Sequence, residues 1–221
     1  MVTLNKESIT LNLVNSDKYI KEYQACGLNS ILALLEYYKS FNKLDVNEIK
    51  NIFNYNEDGI SLERYRFNKL NTYLNKMGVP YRFYISKFES LSDLYKMLND
   101  NQPIPIFFWI KVLNFTKKHY KNLEYQMDFG DIEQSDTKHM LILVGYANKG
   151  EKLIFIDPSY QIPWISQSTK ELSKYYFLMD TKDFYECSKH IHTYICIKFL
   201  KSEVKRYDKT ISAKETQQKL E

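Results

Sequence analysis

The chain has 221 residues and a formal net charge of +4, with 44% hydrophobic and 26% charged residues. That length is enough for one domain with a full core, and the balance is that of a globular protein, not a disordered or fibrous one. The charge is mild and no basic stripe is interleaved with aromatics, so nucleic-acid binding is not expected.

Cysteine use and the termini narrow the class further. Three cysteines, Cys26, Cys187 and Cys196, are too few and too odd in number for a disulfide framework, and they fit a reducing compartment. The opening MVTLNKESITLNLVNSDKY has no continuous apolar core, so no signal peptide is expected. No run of about 18 uninterrupted apolar residues occurs, so no transmembrane helix or membrane partner is expected and the default location is cytoplasmic. The abundance of Tyr, Asn, Lys and Ile reads as AT-rich coding bias in a bacterium.

In chain order, Ile9 to Val14 alternates as an edge strand. The stretch YQACGLNSILALLEYY, Tyr23 to Tyr38, turns from polar to apolar, and Ile31, Leu32, Leu34, Leu35 and Tyr38 predict a buried helix from near Gly27 to about Ser40. Residues 45–54 predict a shorter helix with Asp45 as N-cap, and Asn56 to Gly59 a turn. Arg64 to Met77 predicts a third helix, with Tyr65, Leu70, Tyr73, Leu74 and Met77 apolar and Gly78 closing it. Val79 to Ile85 alternates as a strand. Ser90 then caps a helix to about Asn99 that turns Leu94, Met97 and Leu98 inward.

Pro103 and Pro105 demote the start of the next apolar run, and Ile106 to Ile110 reads as a buried strand. Residues 111–138 are polar and of mixed charge and predict an irregular or partly helical insertion, of the kind that forms lids or specificity loops or is simply tolerated on a surface. His139 to Tyr146 is apolar on both faces and predicts a central strand. It turns at Ala147–Gly150 and returns as Lys152 to Ile156. A helix near Ser168 to Tyr175, an apolar Tyr176–Met179 and a last strand from Tyr194 to Leu200 follow. Helices first and antiparallel strands later predict an α+β fold. The domain spans residues 1–200, and 201–221 form a charged tail.

The chemistry centres on Cys26. Placed at the start of a helix, its thiolate is favoured by the local N–H groups and the helix dipole, which suits a nucleophile. A four-residue turn at 147–150 pairs Tyr146 with Glu151, and counting outward sets His139 opposite residue 158, beside Asp157. A carboxylate within one position across an antiparallel pair can reach an imidazole. Cysteine, then histidine, then a carboxylate makes a workable triad, in which the base holds the thiolate and the acid fixes the ring tautomer.

The order and the words ACGLNSILALLEYY, NQPIPIFF and KHMLILVGYANKGEKLIFIDPSY resemble the papain-like cysteine peptidases over roughly residues 20–180. The bacterial branch of double-glycine leader peptidases and their stand-alone relatives is the most similar. The resemblance implies a papain-like fold, with Cys26 as nucleophile, His139 as general base and acid, and Asp157 orienting His139. In that family a glutamine six residues before the cysteine donates to the oxyanion. Here that position is Ile20, and the nearby glutamine is Gln24. Either Gln24 fills the role, or backbone N–H groups including that of Cys26 do, or the site is altered; losing one such donor costs about 2.7–4 kcal/mol of transition-state stabilisation.

The partner implied is a peptide or acyl substrate. A peptidase, an acyltransferase that hands the acyl-enzyme to an amine or thiol, and an inactive binding protein of the same fold all remain open. His190 and His192 share a face if the chain is extended there, with Cys187 close by. No CxxC pair or HExxH helix supports a metal, and no cofactor is expected. His119 reads as solvated, and Asn29, one helical turn after Cys26, as a first-turn polar residue or one that touches the site.

Overall fold

The computed structural model describes residues 8–11, 13, 25–38, 44–88, 90–109, 138–156, 158, 176–188 and 194–201. At 87, 108, 109, 138, 139, 176, 177, 186–188 and 194–201 it describes the backbone only. The predicted insertion (except Lys138), the helix near Ser168 to Tyr175, His119, His190, His192 and tail residues 202–221 lie outside the described residues.

The first half is mainly helical. A two-residue β1 (Ile9–Thr10) precedes α1 (Cys26–Tyr37), α2 (Val46–Phe53) and α3 (Arg64–Lys76). Every residue of α1 from Gly27 to Leu35 is buried. A helix apolar on all sides has no solvent face and must be enclosed, and α1 lies against the central sheet strand described below. α2 follows local rules, with the Asp45 carboxylate accepting the Asn47 N–H at 2.8 Å and Asn54 closing it in the left-handed region. α3 buries Phe67, Leu70 and Leu74, an i, i+3, i+7 stripe. Tyr65, counted among its apolar residues, is exposed on the other side, and Met77 is exposed where the stripe runs past the helix end. Gly78 follows α3 with φ +68°, as the helix end requires.

From residue 81 on the chain builds an antiparallel sheet, with β2 (Tyr81–Phe88), which precedes α4 (Leu91–Asn99), β3 (Ile104–Trp109), β4 (Lys138–Ala147), β5 (Lys152–Ile156), β6 (Tyr176–Asp180) and β7 (Tyr194–Lys201). The strand order is β2-β7-β3-β4-β5-β6, with β1 on β4, and the fold is α+β. β4 is the centre, with Met140 to Val144 buried without interruption, so the sheet is covered on both faces. Gly145 is required where β1 crosses: a Cβ there would overlap the Ile9 carbonyl oxygen. α4 opens with the Asp93 carboxylate accepting the Ser90 N–H at 3.1 Å, and it buries Tyr95 with Leu94 and Leu98, leaving Met97 partly covered.

Three departures from the sequence reading are informative. β3 starts at Ile104 and contains Pro105, although it is an interior strand. The proline is tolerated because the ladder to β7 registers only Ile106 with Cys196. An unpredicted helix, α5 (Thr181–Ser188), follows β6. Among its described side chains the buried one is Phe184, which stacks on Phe88 and Phe155 at 6.4 and 6.2 Å between ring centroids. One large apolar residue gives no period to read.

The third departure is the β4–β5 register. Tyr146 pairs with Leu153, not Glu151, and a bulge at Val144 lets Ile142 meet Ile156, where the simple hairpin count sets Phe155. The cause lies at the loop. Asn148 and Lys149 adopt positive φ, and Glu151 closes back on the Asn148 carbonyl at 3.1 Å. The Gly150 carbonyl accepts from the Tyr95 hydroxyl at 2.7 Å and the Thr181 hydroxyl at 2.6 Å. Those bonds hold Gly150 and Glu151 in the loop and out of the ladder.

Candidate active site

Cys26 is the first residue of α1. Its N-cap, Ala25, offers no side-chain acceptor, and the first turn holds no acidic residue. Neither the N-cap nor the first turn thus sets a carboxylate of its own against the positive end of the helix. Cys26 is half-buried and not in a disulfide. Its carbonyl accepts the Ser30 hydroxyl at 2.8 Å, a bond that closes the first turn. Gly27 is held tightly from outside: a Cβ there would lie 2.8 Å from Cγ1 of Ile60. The loop after α2 thus packs directly on the turn that carries the thiol.

Asn29 and Ser30 are the buried polar residues of this region, both fully inaccessible. The Asn29 side-chain amide donates through Nδ2 to the Pro158 carbonyl at 3.1 Å, across 129 positions of chain. Pro158 lies just after the end of β5 and next to Asp157 in the sequence. The first turn of α1 is therefore fastened to the segment that follows β5.

His139 is the second residue of β4, and its backbone pairs with Phe108 of β3. Three residues further, roughly 10 Å along the strand, Ile142 pairs with the last residue of β5, Ile156. The start of β4, the end of β5 and the first turn of α1 thus belong to one region. Asp157 and Gln24, predicted as orienting acid and oxyanion donor, lie outside the described residues, as does Ile20.

Sequence reading marks Asn29 as a first-turn polar residue that can touch the site, but not its bond to Pro158. The signal was an amide one turn after the cysteine, inside a run that is otherwise apolar. Its partner is beyond any local pattern. At the opposite end of α1, burial raises the pKa of Tyr37 and, more strongly, of Tyr38, to which the neighbouring Tyr37 and Tyr81 add. Among the described residues, no group of three or more His, Cys, Asp or Glu gathers, and no helix is long and apolar enough to cross a membrane.

The sequence matches the model of the Peptidase_C39 like family over residues 10–188, which takes in α1, β4 and β5 together. The chain belongs to that family. No curated protein matches it. Among solved structures, it resembles a chain described as a C39-like peptidase from Bacillus anthracis, with a TM-score of 0.53 and 16% identity over 90% of this chain and 100% of that one. At that identity the likeness concerns the fold, which is of the papain-like α+β type. Membership places the protein in the papain-like cysteine peptidase superfamily.

Proposed function

We propose that the protein is a thiol hydrolase that cleaves a peptide or amide bond through an acyl-enzyme, with Cys26, His139 and Asp157 as its triad. The observation that carries this reading is the fastening of α1 to Pro158. It draws the helix that starts at Cys26 to the residue after Asp157, while α1 also lies against the strand of His139.

In this mechanism the Cys26 thiolate attacks the carbonyl carbon and forms an S–C bond. The developing oxyanion is received by backbone N–H groups at the start of α1, with Gln24 as a side-chain donor. Collapse breaks the C–N bond, and His139 gives its proton to the departing amine. Water then attacks the thioester, His139 takes its proton, and the acid leaves with the thiolate restored. Asp157 holds the imidazole in the tautomer this requires. The substrate is a peptide or acyl compound, the site is cytoplasmic, and the reading calls on no cofactor.

Cys26→Ala tests it most directly. Turnover of a peptide library, read by mass spectrometry, should vanish in the variant, and full retained cleavage would sink the reading. A second reading is acyl transfer to an amine, favoured by Ile20 at the position of the family's oxyanion glutamine. An adduct that forms only when an amine is supplied would distinguish it from hydrolysis.

A further inference from the structure

Asn29 is a costly residue at its position unless it has a task. It is fully buried, within a stretch of α1 that is otherwise almost wholly apolar. A buried amide that found no partner would destabilise the helix it sits on. Its partner is also unusual. Pro158 has no N–H, so the chain there cannot go on donating to β4 as a strand does. The Pro158 carbonyl takes its hydrogen from a helix instead. Only the Nδ2 end of the amide can donate to a carbonyl, so the contact fixes the side chain's orientation as well as its distance.

We propose that Asn29 is a positioning residue of the active site. Its amide locks the first turn of α1 to the Pro158 carbonyl, and so fixes Cys26 relative to the segment that carries Asp157. This rests on Cys26, His139 and Asp157 being the reacting groups. The helix and the sheet segment come from opposite ends of the domain, and Asn29–Pro158 is a directional tie between them within one turn of the thiol. Apolar packing encloses α1, and a directional bond at its first turn adds a restraint on its position along the axis, where a misplacement of about 1 Å costs on the order of 10²-fold in rate.

The test uses the full chain and iodoacetamide, with labelling of Cys26 read by peptide mass mapping from pH 5 to 8. Four proteins are compared: wild type, His139→Ala, Asn29→Leu and the double variant. Leu keeps the branched shape of Asn, though it is larger, and removes the donor without adding charge. The expected result is that His139→Ala slows wild-type labelling at pH 6 by roughly tenfold or more. Asn29→Leu should slow it comparably, and adding His139→Ala to it should change little further. A thermal melt verifies that the fold is kept.

Asn29→Leu labelling at the wild-type rate, with the wild-type dependence on His139, would overturn the role of Asn29 and leave the triad standing. Wild-type labelling that ignores His139 would overturn both. Should Asn29→Leu fail to fold, Asn29→Asp replaces it. Its carboxylate repels the Pro158 carbonyl near pH 7, whereas its protonated form can donate as the amide does. The factor by which His139→Ala slows labelling in that background should be near one at pH 7 and rise towards the wild-type value at pH 5. The charge itself acts on the thiol with or without His139 and cancels from that factor. A factor equal to wild type throughout would overturn the proposal.

Discussion

α1 and α2 are held by opposite means. α2 is written in local chemistry: an Asp45 N-cap, Glu48 in the first turn and a left-handed Asn54 at the end, with only Ile49, Ile52 and Phe53 buried. α1 has no side-chain cap and no acid in its first turn, and nine consecutive residues of it are buried. Its stability therefore comes from enclosure and not from its ends. An acidic N-cap would place a carboxylate beside the Cys26 thiol and disfavour its thiolate, and on the reading proposed above, in which Cys26 reacts as a thiolate, that end of the helix is better kept clear of acid. A helix stabilised by burial can leave that end open, and a tight enclosure keeps the thiol in one place.

The largest effect that can break this comparison is a cavity in α1. Leu32 is fully buried, and Leu32→Ala should lower stability by about 2–5 kcal/mol. Asn51→Ala on the exposed side of α2 should stay within about 0.5 kcal/mol. Urea midpoints at constant slope measure both. Similar shifts for the two variants would mean that enclosure is not what holds α1.

Capping sharpens the comparison from the other side. Asp45→Ala removes the acceptor of the Asn47 N–H and should cost about 1 kcal/mol. The loss should be local, seen as faster hydrogen exchange at the first-turn amides of α2 and unchanged exchange in α1. Labelling of Cys26 should not change. Slower labelling in Asp45→Ala would show that the two helices share their stability and that the thiol depends on both.

The same contrast explains what could be read from the residues. Asp45, Gly78 and the Ser90–Asp93 pair specify their helix ends by chemistry within a few positions, and each end is legible. α1 was legible because burial leaves a long apolar run. Cys26 and His139 could be named because one opens that run and the other opens an apolar strand. Their spatial relation could not. The β4–β5 register depends on a Gly150 carbonyl held by Tyr95 and Thr181, from distant parts of the chain. Likewise β7 enters the sheet between β2 and β3, and nothing in Tyr194–Lys201 names those neighbours. The bond from Asn29 to Pro158 is of the same kind, a long-range contact with no local signature.

The smallest effect is silent at neutral pH and lies at the other end of α1. α2 ends in a left-handed Asn54, whereas α1 ends at Tyr38 among aromatic rings, with Tyr37 at 4.9 Å and Tyr81 at 5.2 Å between centroids. Burial pushes the Tyr38 hydroxyl well above its ordinary value, and Tyr37 and Tyr81 push it further in the same direction. A tyrosinate there would also face the negative end of the helix dipole. The folded chain therefore keeps a proton that the unfolded chain releases near pH 10. Its contribution to stability is complete below that pH and is lost as pH rises towards the folded value. Melting temperatures from pH 8 to 11 should fall, and more gently in Tyr38→Phe, which has no proton to lose at that site. Tyr37, Tyr95 and Tyr146 are shifted upward too, so the wild-type curve alone does not isolate Tyr38, but the difference between the two curves does. Parallel curves would mean that the aromatic end of α1 opens to water before the helix does, and that its enclosure protects the thiol end alone.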